Sequence, residues 1–212
     1  MKLIPEWYEH QYCLIAWPCN KDLYGKIINK ARDEVANVIN EIAKTEHVIV
    51  LSNKEDINEI QNKTDHKNID IIECKLDDSW MRDIAPIFYN EDEKLKSISF
   101  EFNGYGKYPD YLNDNKISKF ISNYLNIPTK ISDLVIEGGA ITYDDKKNLF
   151  STKNVIFNKN RKQKHNSEYI IKELKLLFDL NYIFLFENGL MEDDTDGHAV
   201  SYTHLRAHET SL

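Results

Sequence analysis

Apolar residues recur at steps of three and four between residues 21 and 45, which predicts one long amphipathic helix. "HVIVL" (47–51) and "IDIIEC" (69–74) are short apolar runs typical of buried strands. Ser52-Asn53 stands between these two runs. Together with the acidic residues that follow in the sequence, this pair predicts a short capped helix. The apolar stripe of the long helix comprises Leu23, Ile27, Ile28, Ala31, Val35, Val38, Ile39 and Ile42.

The rest of the chain combines hairpins with further helices. "PIFY" and "KSISFEF" predict a hairpin across "NEDEK", and "ITYDDKKNLFST" predicts another with its turn at Asp144 to Lys147. The remaining predicted elements are helices near 115–125 and 167–178, the second capped by Ser167, and strands at "DLVIEGG" and "YIFLF" (182–186).

Helix, strand, polar loop and hairpin thus recur with a period of roughly 55 to 60 residues, which is typical of a repeat architecture. This predicts an α/β fold of propeller-like repeats, with no linker that marks an internal domain boundary.

Three polar loops occupy matching places in this cycle, each after a buried strand. They are "DDSWMRD" (77–83), "EGG" (137–139) and "DDTDGH" (193–198). If the repeats surround an axis, Asp83, Glu137 and His198 converge at one end of it. Taken one at a time, the loops have simpler explanations: Asp83 beside Arg82 suits a surface ion pair, and the glycine-containing loops suit ordinary turns.

The chemistry of such a cluster is restricted. Carboxylates pair best with planar, bidentate donors, of which the guanidinium is the foremost. A histidine beside a glutamate is oriented for general acid/base work, and Trp80 offers an aromatic face to an alkyl or cationic substrate. The recurrence of the loops at matched positions therefore predicts a functional site, whose carboxylates suit a planar cationic partner.

Composition agrees with this picture. The 212 residues are 42% hydrophobic and 29% charged, enough for a core, and the net charge of -8 argues against nucleic acid or an anionic membrane as partner. No apolar run reaches the roughly 18 residues of a membrane span. The N-terminus is unlike a signal peptide, and three cysteines suit no disulfide framework, so we expect a cytoplasmic protein.

"WMRDIAP", "FNGYGKYP", "DLVIEGGAI" and "DDTDGH", in this order, resemble the agmatine deiminase and bacterial-type peptidylarginine deiminase family, as does the opening "PEWYEHQYCLIAWP". The resemblance implies a pentein fold of five α/β units, about three of which fit into this chain. It also implies metal- and cofactor-free hydrolysis of a guanidinium carbon–nitrogen bond, in which a cysteine thiolate forms a covalent amidino-thioether. Agmatine, yielding N-carbamoylputrescine for putrescine synthesis, or peptidyl-arginine would be the substrate.

Residue by residue, Asp83 matches the first guanidinium clamp, Glu137 the carboxylate that works with the histidine, and His198 the general acid/base. Trp80 would line the pocket. Asp194 and Asp196 are expected to shape their loop without touching substrate.

Two departures from the family pattern matter. The second clamp is an aspartate two residues after the histidine, but Val200 stands there. The nucleophilic cysteine lies in the last unit of the family, and Cys13, Cys19 and Cys74 do not stand where the family places it. The resemblance thus implies an incomplete domain over residues 1–199, itself inactive, which would be able to form homo-oligomers when full length.

From Val200 onward, "VSYTHLRAHETSL" resembles translated adapter sequence, so residues 200–212 are expected to be a non-native tail. An alternative is a metal site, because His204 and His208 at i and i+4 would share a helix face that His198 could join. A further alternative is a non-catalytic guanidinium-binding module, which needs no cysteine.

Overall fold

The computed structural model describes residues 2–5, 7–65, 67–190 and 193–199. Its strands are β1 (Lys2–Leu3), β2 (Tyr12–Ala16), β3 (His47–Ser52), β4 (Ile69–Glu73), β5 (Ile87–Glu91), β6 (Lys94–Glu101), β7 (Thr129–Val135), β8 (Thr142–Tyr143), β9 (Asn148–Thr152) and β10 (Tyr182–Phe186). Its α-helices are α1 (Lys21–Tyr24), α2 (Ile28–Ile42), α3 (Ile57–Lys63), α4 (Met81–Ile84), α5 (Ile117–Tyr124), α6 (Lys153–Ile156) and α7 (Ser167–Phe178).

The chain forms two compact units. The smaller unit consists of Glu9–Met81 and Asp110–Asp114, and the larger unit contains the other described residues. In the smaller unit β2, β3 and β4 form a parallel sheet in that order. The predicted strands at 47–51 and 69–74 are confirmed as β3 and β4. The buried core of the sheet and its helices consists of Trp17, Ala36, Ile39, Ala43, Val48, Val50 and Ile60.

The long helix predicted for residues 21–45 is wrong as one continuous element. Helix α1 ends at Gly25, whose positive φ of 51° only glycine adopts at low cost, and a 3₁₀ turn to Ile27 precedes α2. Three members of the predicted stripe, Leu23, Ile27 and Val38, are exposed. The buried face of α2 instead includes Arg32, whose guanidinium pairs with carboxylates of the following helical segment.

The side-chain cap predicted at Ser52-Asn53 is also wrong. Asn53 stands directly before the 3₁₀ turn that leads into α3, but its side chain makes no capping bond. Its amide instead exchanges two hydrogen bonds with the backbone of Leu76, 2.9 and 3.2 Å long. A long-range backbone partner therefore replaces the local cap.

In the larger unit two sheets repeat one pattern. The predicted hairpins are confirmed as β5–β6 and β8–β9, and in each case the next long strand, β7 or β10, pairs in parallel with the second hairpin strand. A helix, α5 or α7, precedes each of these parallel strands. Strand β1 adds to the first sheet, whose order is β1-β5-β6-β7. This hairpin–helix–strand recurrence is the predicted α/β repeat.

Helix α7 has the predicted bounds but a different cap. Asn166, rather than Ser167, is the N-cap residue, and its side chain accepts a hydrogen bond from the Tyr169 backbone N–H. Residues Ile170, Leu174 and Phe178 of α7 enter the same apolar core as the hairpin strands. The helix thereby ties the two sheets of the larger unit to one core.

The predicted α/β class is confirmed. None of the three sheets formed by the described residues closes on itself. The number of propeller units stays a prediction. Within the described ranges, no helix is long and apolar enough to cross a membrane.

Candidate active site

Asp83 lies in the one-turn helix α4 and belongs to the larger unit. Both of its carboxylate oxygens accept hydrogen bonds from within this unit. Oδ2 accepts from the Tyr105 hydroxyl at 2.7 Å, and Oδ1 accepts from the Gly139 backbone N–H at 2.9 Å. Each oxygen keeps a further lone pair, so the carboxylate is oriented without being saturated.

Tyr105 reaches Asp83 because the "NGYG" turn has an uncommon backbone. Gly104, Tyr105 and Gly106 all have positive φ, between 59° and 67°. At Gly106 the glycine is also a steric requirement, since an added Cβ would lie 1.9 Å from the Asn160 carbonyl oxygen. Left-handed backbone is costly for a tyrosine, and such strain is most often kept where a side chain must be aimed at a site.

Glu137 follows β7 and is the residue before the 3₁₀ turn Gly138–Ala140. The close packing behind it explains the two glycines of "EGG". A Cβ on Gly138 would lie 2.2 Å from the Arg82 carbonyl oxygen, and one on Gly139 would lie 2.5 Å from Asp83 Oδ1. The glycines therefore let the turn approach Asp83 closely.

His198 is held by the loop "DDTDGH". The Asp193 carboxylate accepts from the backbone N–H of Gly197 at 2.8 Å and contacts that of His198 at 3.3 Å. The Thr152 hydroxyl donates to the Gly197 carbonyl oxygen at 2.9 Å. Asp193 thus acts as an internal cap that fixes the loop, a role that aspartate commonly has in tight turns.

The imidazole of His198 lies between the two carboxylates. Its Nδ1 is 3.5 Å from Asp83 Oδ1, and its Nε2 is 3.6 Å from Glu137 Oε2. All three side chains are buried, with exposed fractions of 3% for His198, 8% for Asp83 and 0% for Glu137. The structure therefore brings together the three residues that the repeat spacing predicted to converge.

Two atoms of this cluster have no hydrogen-bond partner in the described part of the chain. Among the described residues, neither Glu137 Oε2 nor His198 Nε2 has a hydrogen-bond partner within the protein, although both atoms are buried. Buried polar atoms are nearly always paired, and such exceptions concentrate at functional sites. The two atoms lie 3.6 Å apart, and both keep unused hydrogen-bonding capacity.

Arg161 is a residue of the cluster that the sequence analysis missed. Its guanidinium is fully buried, and its Nε donates to Glu137 Oε1 at 3.0 Å. Its Nη1 contacts the Asp196 carboxylate, and its Nη2 donates to the Thr195 carbonyl oxygen at 2.8 Å. The basic, polar surroundings "NKNRKQK" resemble an exposed loop, so no sequence signal marked this arginine.

The two carboxylates differ in their electrostatics. Burial raises the pKa of Asp83, and the like charge of Glu137 adds to this effect. Burial also acts to raise the pKa of Glu137, but His198 and the Arg161 guanidinium together outweigh it, so the pKa lies below its ordinary value. Environments that push the pKa values of neighbouring acids apart are a common feature of acid/base sites.

The other predicted site residues lie elsewhere in the chain. Trp80 belongs to the smaller unit, is half exposed, and donates its indole N–H to Asp78. Asp196 binds Arg161 and Lys107, whose ammonium also donates to the Asp194 carbonyl oxygen at 2.7 Å. Both aspartates thus contribute to contacts that hold the loop of His198.

All three cysteines are free thiols of the smaller unit. Burial raises the pKa of Cys13, raises that of Cys19 to about 12, assisted by nearby aspartates, and raises that of Cys74 to about 11. The thiolate is the nucleophilic form of cysteine, so these thiols are poor nucleophiles at neutral pH.

No group of three or more His, Cys, Asp or Glu side chains within residues 2–5, 7–65, 67–190 and 193–199 is arranged to hold a metal ion. Val200, His204 and His208 lie outside the described residues, as does the whole predicted tail 200–212.

Fold and cluster together define an α/β protein with a buried carboxylate–histidine–carboxylate cluster. Residues 2–210 match the Porphyromonas-type peptidyl-arginine deiminase family, and the chain belongs to that family.

Two curated relatives are similar over nearly the whole chain. The "Putative agmatine deiminase" of Mycoplasma capricolum is 32% identical over 206 residues, which cover 94% of this chain and 56% of the relative. The "Agmatine deiminase" of Pseudomonas aeruginosa is 27% identical, and the match covers 93% of this chain and 55% of the relative. The chain thus spans just over half the length of the curated relatives it matches.

Solved structures share the fold. A cysteine-to-serine variant of the C. jejuni agmatine deiminase with substrate bound superimposes with a TM-score of 0.84 at 28% identity, covering 93% of this chain and 59% of that one. The agmatine deiminase of Enterococcus faecalis gives a TM-score of 0.86 at 19% identity, with coverages of 93% and 56%. The fold of this chain is therefore that of solved agmatine deiminases.

Proposed function

We propose that the chain carries the substrate-binding and acid/base part of a guanidinium hydrolase that converts agmatine and water to N-carbamoylputrescine and ammonia, a step toward putrescine. The buried contact of His198 with Asp83 on one side and Glu137 on the other is the observation that carries the proposal. The agmatine deiminases among its relatives support the choice of substrate.

In the proposed reaction Asp83 binds the guanidinium through the lone pairs that Tyr105 and Gly139 leave free. A cysteine thiolate attacks the guanidinium carbon, and the carbon–nitrogen bond to the leaving group breaks as His198 gives that nitrogen a proton. Ammonia leaves, and an amidino-thioether remains. Glu137 and His198 then take a proton from water, whose oxygen replaces the sulfur to give the ureido product.

The nucleophile is proposed to lie outside this sequence. The raised pKa values of Cys13, Cys19 and Cys74 support this view, because each thiol is mostly protonated at neutral pH. The 212-residue chain is accordingly proposed to bind a guanidinium without hydrolysing it. About three of five pentein units, residues 1–199, are proposed to be present, with homo-oligomers in the full-length, cytoplasmic enzyme.

Reading the gene beyond codon 199 tests this assignment. We expect a histidine-x-aspartate continuation at His198, a late cysteine, and agmatine-dependent ammonia release by the longer product. A reading frame that continues unchanged through "VSYTHLRAHETSL" contradicts the proposed non-native tail, and the family match, which runs to residue 210, does not decide this boundary. A full gene without a cysteine beyond residue 199 contradicts the enzyme and supports a non-catalytic guanidinium-binding module.

Peptidyl-arginine is the second candidate substrate. The family description names this substrate, and a structure described as a "putative peptidyl-arginine deiminase" superimposes with a TM-score of 0.82 at 28% identity. Parallel assays of the longer product with agmatine and with a peptide that contains arginine separate the two. Faster release of ammonia from the peptide would overturn the choice of agmatine.

A further inference from the structure

Arg161 joins the two segments that carry Glu137 and His198. Its Nε–H binds the Glu137 carboxylate, while its Nη groups bind Thr195 and Asp196 of the loop that ends in His198. A single buried guanidinium therefore sets the position of the glutamate relative to the histidine loop. Arginine suits this task because its planar donors fix the direction of each bond.

We propose that Arg161 is a positioning residue of the candidate active site, which keeps Glu137 ionised and turns Glu137 Oε2 toward His198 Nε2. The inference rests on the proposed function for its catalytic meaning and deepens it. It identifies the cation that, together with His198, favours the negative charge on Glu137.

The hydrogen-bond donors of the two carboxylates support this assignment. Asp83 receives its bonds from neutral donors, the Tyr105 hydroxyl and the Gly139 N–H. Glu137 receives its bond from a cation, at 3.0 Å and without access to solvent. A nearby opposite charge favours the ionised form most strongly in a buried site, so the negative charge is held on Glu137. The opposite pKa directions of the two acids agree with this distribution.

The geometry also explains why Oε2 faces the histidine. Arg161 binds Oε1, and the other oxygen of the same planar group is left 3.6 Å from His198 Nε2. If Arg161 were absent, rotation of the carboxylate would no longer be restricted by this bond. Arg161 therefore fixes the carboxylate orientation that places Oε2 next to the imidazole. The imidazole does not fix this orientation, because Oε2 makes no hydrogen bond with it.

Arg161 also faces a second carboxylate, a competing cation and an aromatic ring. Asp196 shares its charge between Arg161 and Lys107, whose ammonium lies 2.8 Å from Asp196 Oδ1. The ring of Tyr105 lies 5.8 Å from the guanidinium carbon, within range of a cation–π contact. Among the described residues, the charged or titratable groups that face Glu137 are Arg161, His198 and, more remotely, Asp83.

Carboxylate NMR of the 212-residue chain tests the proposal without any need for turnover. The ¹³Cδ signal of Glu137, assigned by its loss in Glu137→Gln, is followed as a function of pH in the wild type, Arg161→Gln and Arg161→Lys. We expect the Glu137 midpoint to rise by about 1 to 3 pH units in Arg161→Gln. Arg161→Lys should keep most of the low midpoint, because it keeps the charge. Lys164→Gln, a change of an exposed lysine that pairs with Glu101, is the matched control and should leave the midpoint unchanged.

A purely structural role would lower the stability of Arg161→Gln and leave the Glu137 midpoint where it is, and this result in folded protein overturns the proposal. If Arg161→Gln does not fold, the wild type supplies a second readout. The Arg161 Nε–H resonance should shift on titration of Glu137, and an Nε–H signal that is the same in Glu137→Gln overturns the proposal. Lack of agmatine binding together with the expected midpoints would instead count against the proposed function alone.

Discussion

Gly139 and His198 are packed so closely that a Cβ atom added at Gly139 would lie 2.6 Å from His198 Nδ1. The same atom would lie 2.5 Å from Asp83 Oδ1. The gap that separates the histidine from the aspartate therefore exists only because residue 139 has no side chain.

Gly139→Ala should consequently damage the site more than the fold. We expect a loss of about 1 to 3 kcal/mol in the free energy of unfolding, as for other overpacked positions, and at least about a tenfold loss of agmatine affinity. Gly25→Ala is the control, since its Cβ meets nothing within 4 Å and only the positive φ opposes it. Agmatine binding by Gly139→Ala that equals the wild type would contradict the described packing.

Tyr105→Phe removes the hydroxyl that orients Asp83 and leaves Oδ2 without this donor. In the complex Asp83 is ionised, so the loss of a hydrogen bond to this charged group predicts a decrease in agmatine affinity of roughly tenfold at neutral pH. Titration calorimetry measures the change. Tyr169→Phe, which alters a partly exposed tyrosine stacked on His165, should bind as the wild type does. Equal affinities of Tyr105→Phe and the wild type would argue against Asp83 as the clamp.

Agmatine binding should depend on pH through Asp83. Burial raises the pKa of this carboxyl, and only its ionised form pairs with a guanidinium. Affinity is therefore expected to increase as the pH rises through the pKa of Asp83 and to level off above it, with a proton released on binding. Calorimetry in buffers of different ionisation enthalpy detects that proton. Affinity that falls over the same range would contradict this account.

Asp114 predicts a pH dependence of stability in the smaller unit. Burial, with the nearby charges of Asp77 and Asp78, raises the pKa of Asp114 from 3.8 to about 7. Between these values the folded unit holds a proton that the unfolded chain has released. The free energy of unfolding should therefore fall as the pH rises from about 4 to about 7, by an amount on the order of 4 kcal/mol.

Hydrogen exchange of amides in β3 and β4 measures this change for the smaller unit itself. Asp114→Asn cannot titrate, so its exchange should show a much weaker dependence on pH than that of the wild type. A stability that rises between pH 4 and pH 7 in the wild type alone would contradict the assigned direction.

The thiols should be unreactive while the chain is folded. With the pKa of Cys19 at about 12, its thiolate fraction near pH 8 is roughly a thousandfold below that of an ordinary cysteine. Alkylation should therefore be slow in the native protein and fast in urea. Agmatine hydrolysis by the 212-residue chain that disappears in Cys19→Ser or Cys74→Ser would show that the nucleophile is present after all.

The sequence predicted the parts of the site that the repeat places at equivalent positions. Asp83, Glu137 and His198 each follow a repeated pattern of strand and polar loop, so their convergence was visible in their spacing. Arg161 follows no such pattern, because it reaches the site from a polar turn through the length of its side chain. Tyr105 belongs to the motif "FNGYGKYP", but its contact with Asp83 depends on a left-handed backbone that the amino-acid sequence does not reveal.

For the helices, too, the sequence predicted some features correctly and others not. The bounds of α7 followed from its apolar period, whereas its cap was assigned to Ser167 because Ser and Asn are about equally good caps. The break at Gly25 was overlooked because the apolar residues on either side stay in phase. Period therefore predicts where elements lie, and tertiary contacts decide how they begin and end.

Calorimetric titration of the 212-residue chain with agmatine, compared with putrescine, tests the central claim that the buried cluster around His198 recognises a guanidinium. Putrescine has the same four-carbon chain and terminal amine, and it carries a second amine in place of the guanidinium. We expect that agmatine binds and that putrescine binds at least about tenfold more weakly. Asp83→Asn should remove the difference, while Asp145→Asn, a change of an exposed aspartate, should not. Equal binding of the two ligands, or an unchanged preference in Asp83→Asn, would contradict the claim.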